Sequence, residues 1–447
     1  MTTRFIDYSA VYHTGRVGRW DRYPSFSGAV LDSRKVSPGM LFIARKGAHT
    51  DGNLFINDAV SRGAAFVIAE NISFTEKELS VPVLLTDDPV KTLLDLVSSL
   101  RGLIAHQRIV AVTGSFGKTS TKDYIHGALS LLYKTGKTEG NLNTEWGVPL
   151  TYLNNMDREV LVMEMGMDRF GDIGILAEAV KPDIGVITNI APVHMEFMKT
   201  IDFVYRGKTE LFKKMDEKSF KLICGDDPVL ARARDEFSHI FSYGETKGND
   251  YRIARIEPGK GQVAFCVNEE SYTVPAWSVH FAQNAAAAVA VALNMGALPR
   301  EIKEGLSRCM LSPGRLSVTE TPERVLIDDT YNSSPAALKA VITEAGERYG
   351  SLRKLFCLGD MLELGEESGR YHKEALDLCS GLTRAHALLL GPEFYRWKEE
   401  FPQFEFFMGR KDYSDRLNAV KKQYRVIVVK GSRGLKMEEF LEELKGE

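Results

Sequence analysis

The stretch "IVAVTGSFGKTSTKDYIHGAL" places a glycine-bearing turn, a lysine and several hydroxyls between an apolar run and an amphipathic one. Strand, turn and helix in that order make a site for phosphate. N–H groups of the turn and of the helix start point outward, and the helix dipole favours negative charge there. Gly114, Ser115, Gly117, Lys118, Thr119 and Ser120 would form the cradle. Lys118 would reach the outer phosphates, and the Thr119 hydroxyl would sit on a magnesium ion. The generic pattern G-x-x-x-x-G-K-[ST] wants a glycine where this chain has Val112. A plain strand–helix turn with a surface lysine is therefore the competing reading; the flanking strand and helix favour phosphate.

Other residues gain interest from their positions. Glu164 closes the apolar run "VLVMEMG", which sets a carboxylate at the C-terminal edge of a parallel sheet, where open α/β sheets bind ligands. It could equally cap a neighbouring helix. His194 follows "GVITNI" on a loop, where a lone histidine is more often structural. Lys208, inside "FVYRGKTELFKKMDEK", reads by spacing alone as part of a solvated charged helix.

These residues need elements to hold them. "IVAVTG", "VLVMEMG", "DIGVITNI" and "FKLICGDD" are continuous apolar runs, as expected of strands buried on both faces, and "KDYIHGALSLLYK" is a helix between two of them. Strand–helix alternation makes the fold α/β. The chain is expected to form a small N-terminal α/β domain over residues 1–102, a central doubly wound P-loop domain over 103–313, and a C-terminal Rossmann-like α/β domain over 314–447. In the last, "RVLIDDTYNSSP", "KLFCLGDM", "HALLLGPEF" and "YRVIVVKGS" supply strands, with helices such as "AALKAVITEAGERYG" between them.

A length of 447 residues suits two to four domains. The formal charge of −3 offers no basic field for nucleic acid or an anionic membrane surface. Five scattered cysteines without a C-x-x-C pair suggest reduced thiols. "MTTRFIDYSAVYHTG" lacks a signal peptide's apolar core, and the Ala-rich "FAQNAAAAVAVALNMGAL" reads as a packed helix rather than a membrane span. A cytoplasmic location is expected.

The run "TGSFGKTSTK" resembles the phosphate loop of the Mur ligases, the ATP-dependent amino-acid and peptide ligases of cell-wall synthesis. That loop is short, and a glycine at the position of Val112 is not expected in it. Further stretches resemble the dipeptide-adding branch in the expected order: "DSRKVSPGMLFIARKGAHTDGNLFI", "TEGNLNTEWGVPLTYL", "VMEMGMDRFGDI", "PDIGVITNIAPVHMEFM", "GKTELF", "DDTYNSSPAAL", "LGDMLELGEES" and "VKGSRGLKMEE". The likeness spans essentially the whole chain.

The resemblance implies ATP and magnesium as cofactors, and a UDP-N-acetylmuramoyl tripeptide and D-alanyl-D-alanine as substrates, joined through an acyl phosphate by a monomer. Catalysis would fall to Lys118, Glu164, His194 and Lys208. Thr119, Glu164 and His194 would serve magnesium, with Lys208 carbamylated beside them. Asn284 would contact adenine, although Ser278 and Phe281 depart from the family's G-x-H-N-x-x-N-A. Arg315 and Asp329 would face ATP; Asn141 and Asn143 would contact the activated substrate or phosphate; Asp32, Ser33, Arg34 and Lys46 would hold the nucleotide sugar. Asp360, Glu363, Lys430 and Arg433 occupy motifs that could shape the dipeptide site, while Ser334 replaces a family asparagine. The rival readings are another amino-acid ligase of the superfamily, a P-loop ATPase that makes no amide, and a degenerate binding module.

Overall fold

The computed structural model describes residues 14–17, 24–47, 50–73, 79–104, 106–191, 200–259 and 261–445. Contacts divide the chain into two compact units. The first comprises residues 1–190, 205–243 and 287–302, and the second the remainder.

The first unit holds two sheets. Strands β1 (Gly15–Val17), β2 (Ala29–Val30), β3 (Leu41–Ala44), β4 (Phe66–Ala69) and β5 (Val83–Leu85) lie in the order β1-β5-β4-β3-β2. Only β1 runs antiparallel to its neighbour. Helix α1 (Ile56–Ser61) packs Ile56 and Ala59 with Phe42, Ala44 and Val67 in one core. After α2 (Pro89–Leu103) come β6 (Arg108–Thr113), α3 (Lys118–Leu129), β7 (Thr135–Lys137), α4 (Gly147–Leu153), β8 (Val160–Glu164), α5 (Asp172–Val180) and β9 (Ile184–Ile187). Helices α6 (Ile201–Lys208) and α7 (Glu210–Lys213), β10 (Phe220–Cys224), α8 (Ala233–Glu236) and β11 (Ile240–Gly244) complete the series.

The strand order β11-β10-β9-β6-β8-β7 is parallel throughout. The expected runs are these strands, and β6, β8, β9 and β10 are buried apart from Arg108 at the start of β6, as residues covered on both faces must be. Because β6 lies between β8 and β9, the sheet reverses its winding at β6. Three strand ends meet there: Thr113, Glu164 and Ile187.

The second unit begins its regular structure with a ribbon that the reading of the sequence did not anticipate. Strands β12 (Tyr251–Pro258), β13 (Gln262–Val267) and β14 (Glu270–Pro275) are antiparallel. The signal was there in "QVAFCVNEESYTVP": apolar residues alternate around Asn268–Glu269, which both have positive φ, as a two-residue hairpin turn of this twist requires.

Helices α9 (Phe281–Asn294) and α10 (Pro299–Ser307) follow, then β15 (Ser317–Glu320), β16 (Val325–Asp329), α11 (Pro335–Arg348), β17 (Lys354–Gly359), α12 (Ser368–Gly381), β18 (Ala385–Leu390), α13 (Pro392–Tyr395), β19 (Glu405–Phe407), α14 (Arg410–Val420), β20 (Val426–Lys430) and α15 (Glu438–Lys445). The order β15-β16-β20-β17-β18-β19 is parallel except at the β15 edge. Alternate residues serve opposite faces: Phe356, Leu358 and Val428 join one core, and Leu355, Cys357 and Val429 the other. All five cysteines are buried and unpaired with one another. Among the described residues no helix is long and apolar enough to cross a membrane.

Candidate functional site

The loop after β6 explains why a valine stands where the generic pattern wants glycine. Val112 is still strand, fully buried and paired with Glu164 and Val186. The turn begins only at Gly114, whose φ is +150° and whose hypothetical Cβ would meet Thr188 Oγ1 at 1.8 Å. Gly117, at φ +79°, caps α3 in the left-handed region. Both places that need glycine have it.

The loop is clamped to the end of β9. Ser115 N donates to Asn189 O at 3.1 Å, Phe116 N to Asn189 Oδ1 at 3.0 Å, and Thr188 Oγ1 to Phe116 O at 2.7 Å. A twelve-residue helix thus starts at a rigid turn, with first-turn N–H groups that intrahelical carbonyls do not reach. Gly114→Ala should abolish ADP binding and lower the thermal midpoint by several degrees. Calorimetric titration with ADP and a melting curve would check both.

Lys118 Nζ lies over this turn and donates to Gly114 O at 2.7 Å and Ser115 O at 3.1 Å. Thr119 Oγ1 donates to Glu164 Oε2 at 2.9 Å, and both residues are buried. The other carboxylate oxygen, Oε1, accepts from Asn143 Nδ2 at 3.0 Å. Glu164 N in turn donates to Thr138 Oγ1 at 3.0 Å. A hydroxyl and a carboxylate side by side are hard oxygen donors, suited to magnesium, which takes one or two carboxylates together with substrate phosphates and water. The donor set therefore fits the metal. Among the described residues no cluster of three or more His, Cys, Asp or Glu has metal-binding geometry. His194 lies outside the described residues.

Lys208, the last residue of α6, is 2% exposed, so the solvated-helix reading of its stretch does not hold for this side chain. Burial pushes its ammonium well below the ordinary lysine range; the charge of Lys118 adds to that, and Asp168 opposes it. Asn141 is exposed on the loop that carries Asn143. On the same loop, Trp146 lies under the Arg45 guanidinium at 4.6 Å, which ties the loop to the end of β3.

In the N-terminal sheet region, Asp32 caps a short turn over Ser33–Lys35 and forms a bidentate pair with Arg34, at 2.9 and 2.8 Å. The Arg34 side chain holds the Asp32 carboxyl at about 2. Arg34 is 80% exposed, so the pair can exchange for another anion at small cost. Ser33 is buried and bonds Asp58 of α1. Lys46 is exposed, and its backbone N donates to Glu70.

The second unit gathers its own cluster at the C-terminal edge of its sheet. Asp329 ends β16 and Lys430 ends β20; the two are ion-paired, and Lys430 Nζ also donates to Asn332 O at 2.9 Å. Burial raises the Asp329 carboxyl above its usual range, against the pull of Lys430 and Arg315. Arg315 stacks on Tyr331 at 3.7 Å, and Gly314 admits that approach with a φ of +73°. Asn284 is half-buried in the first turn of α9. Phe281, where the family pattern has asparagine, is buried apolar structure instead. Ser334 precedes α11 without a side-chain cap bond.

Sequence reasoning missed Thr138, Thr188 and Asn189, which hold the loop and Glu164 in place. Their signal was modest: polar residues that directly follow strands β7 and β9.

A glycine turn at the switch point of a parallel sheet, beside a hydroxyl–carboxylate pair, defines a doubly wound α/β protein. Three family patterns match in order: the Mur ligase family catalytic domain over residues 25–91, the Mur ligase middle domain over 112–292, and the Mur ligase glutamate ligase domain over 314–433. The UDP-N-acetylmuramoyl-tripeptide–D-alanyl-D-alanine ligase of Bacillus subtilis (strain 168) is 31% identical over 431 residues, covering 93% of both chains. The crystal structure of MurF from Acinetobacter baumannii superposes with a TM-score of 0.83 at 27% identity, covering 96% of this chain and 95% of that one. The MurF ligase of Thermotoga maritima in complex with ADP gives 0.79 at 29% identity, covering 93% and 96%. The chain belongs to the Mur ligase family. It is built of that family's N-terminal, middle and C-terminal domains.

Proposed function

We propose that this protein joins D-alanyl-D-alanine to a UDP-N-acetylmuramoyl tripeptide in peptidoglycan precursor synthesis, converting ATP to ADP and phosphate. The carrying observation is the likeness along nearly the whole chain to ligases of that reaction, met at the site by the phosphate loop and its Thr119–Glu164 pair.

The reaction needs a poor electrophile made reactive. A terminal carboxylate oxygen of the tripeptide attacks the γ-phosphorus and ADP leaves. The dipeptide amine then attacks the acyl phosphate carbon, loses a proton and expels phosphate. Little covalent chemistry falls to the protein, so positioning and charge dominate. N–H groups of residues 117–120 and the Lys118 ammonium would hold the outer phosphates and offset the charge that builds on them. Thr119 and Glu164 would hold one magnesium ion, and His194 a second; magnesium when bound draws charge from the transferring phosphoryl oxygens. Asn143 keeps Glu164 turned toward Thr119, and with Asn141 would contact the activated carbonyl.

Lys208 suits carbamylation, which needs a neutral amine to take up CO2 and lose a proton. Burial and Lys118 both disfavour its ammonium. A carbamate would place an anion there instead, turning repulsion from Lys118 into attraction. Asp32, Ser33, Arg34 and Lys46 would hold the nucleotide sugar, Asn284 adenine, and Arg315 and Asp329 the ATP side. The domain limits 1–102, 103–313 and 314–447 belong to the same proposal. So does action as a cytoplasmic monomer, without nucleic acid or membrane; five buried cysteines, none in a disulfide, suit a reducing compartment.

Phosphate release should require ATP, magnesium, the tripeptide and the dipeptide together, with a pentapeptide product of the summed mass less water. Release indifferent to both substrates, or formation of AMP, would sink this reading.

A further inference from the structure

Lys122 lies one helical turn past Lys118 on α3 and is wholly buried. An ammonium withdrawn from water is costly unless its charge and protons are met, and an apolar side chain of similar volume is often no worse for stability. Its partners are therefore informative. Nζ donates to the Thr138 carbonyl at 2.7 Å and lies 3.5 Å from the Asp123 carboxylate. Asp123, equally buried, is bound more closely by Lys137, at 2.7 Å. The Asp123 charge is thus met without Lys122, and the bond made by Lys122 alone is the one to Thr138.

Thr138 is where the supports of Glu164 converge. Its N–H donates to Val162 O in β8 at 3.0 Å, and its hydroxyl accepts from Glu164 N. It also opens the segment leading to Asn143, whose amide holds Glu164 Oε1. Of the three bonds to Glu164 outside the strand ladder, one is made to the residue that Lys122 grips, one comes from Asn143 on the same connecting segment, and one from Thr119 on α3 itself.

We infer that Lys122 is a positioning residue for the proposed magnesium carboxylate: by gripping Thr138 from α3, it sets Glu164 and Thr119 at the separation a shared cation needs. This rests on the magnesium–nucleotide reading of the phosphate loop.

The test is calorimetric titration of the full chain with ADP, without metal and across a magnesium series, for wild type, Lys122→Met, Thr138→Val and the combined variant. Both single variants should need roughly tenfold more magnesium to reach half of its effect on ADP affinity, as loss of an outer support of a metal ligand commonly produces. Metal-free ADP affinity should stay unchanged, and the combined variant should be no worse than either alone. A lower thermal midpoint with an unmoved magnesium series would mean that Lys122 only stabilises the fold, and would overturn the inference. So would fully additive shifts. Should Lys122→Met not fold, Lys122→Gln, a shorter side chain that keeps a polar end, decides in its place. Wild-type ADP binding indifferent to magnesium would instead remove the reading beneath the inference.

Discussion

Lys118→Met should leave a folded protein whose kcat/KM for ATP is lower by about a thousandfold, or about 4 kcal/mol of transition-state stabilisation. The ammonium reaches back over Gly114 and Ser115, so it can meet phosphate oxygens only where the loop's N–H groups already point. Charge on those oxygens grows toward the transition state, and a fixed cation there does more for the transition state than for bound ATP. The loss should therefore fall mainly on kcat. Stability should change little, because the loop keeps its clamps through Ser115, Phe116, Thr188 and Asn189 when the Lys118 bonds to the carbonyls of Gly114 and Ser115 are lost. Steady-state kinetics beside a melting curve would decide it. A variant with near-normal kcat would place the chemistry elsewhere.

The second large effect concerns Lys208. Lys208→Met should lower turnover by at least about 100-fold while leaving the melting temperature unchanged or slightly higher. Turnover falls because methionine cannot take up CO2, and the fold is kept because methionine fills the buried position without an amine to desolvate. Wild-type protein incubated with carbon-13 bicarbonate should show a carbamate carbon by NMR that the variant lacks. Its activity, once stripped of CO2, should recover when bicarbonate is returned. A variant that keeps full turnover, or a wild type with no carbamate signal, would leave Lys208 as buried structure without a catalytic part.

The two experiments also separate two kinds of information. The phosphate-binding role proposed for Lys118 was legible because its neighbours in the chain are its neighbours in the fold: glycine, lysine and threonine lie within one turn. Lys208 was not. Its local stretch is rich in charge, and helical spacing alone predicts a solvated face. Only tertiary packing within the first unit, to which residue 208 belongs, buries it. Glu164 falls between these cases, since a carboxylate closing an apolar run marks a sheet edge, but its pairing with Thr119 spans 45 residues of chain.

Sequence by itself determined the α/β class, most strands of both large sheets, the glycine turn between β6 and α3 and the family likeness, since each depends on short-range pattern or on motifs read in order. It also contained the antiparallel ribbon in its alternating residues and two-residue turn, which the dominant strand–helix rhythm obscured. Tertiary structure decided the rest. It showed why Val112 belongs to a strand, why Gly114 must lack a Cβ beside Thr188, and how Lys122, Thr138 and Asn143 converge on Glu164. Those facts depend on strand order. The winding of the sheet reverses at β6, so residues far apart in the chain meet at three adjoining strand ends, and no local pattern encodes which strands adjoin.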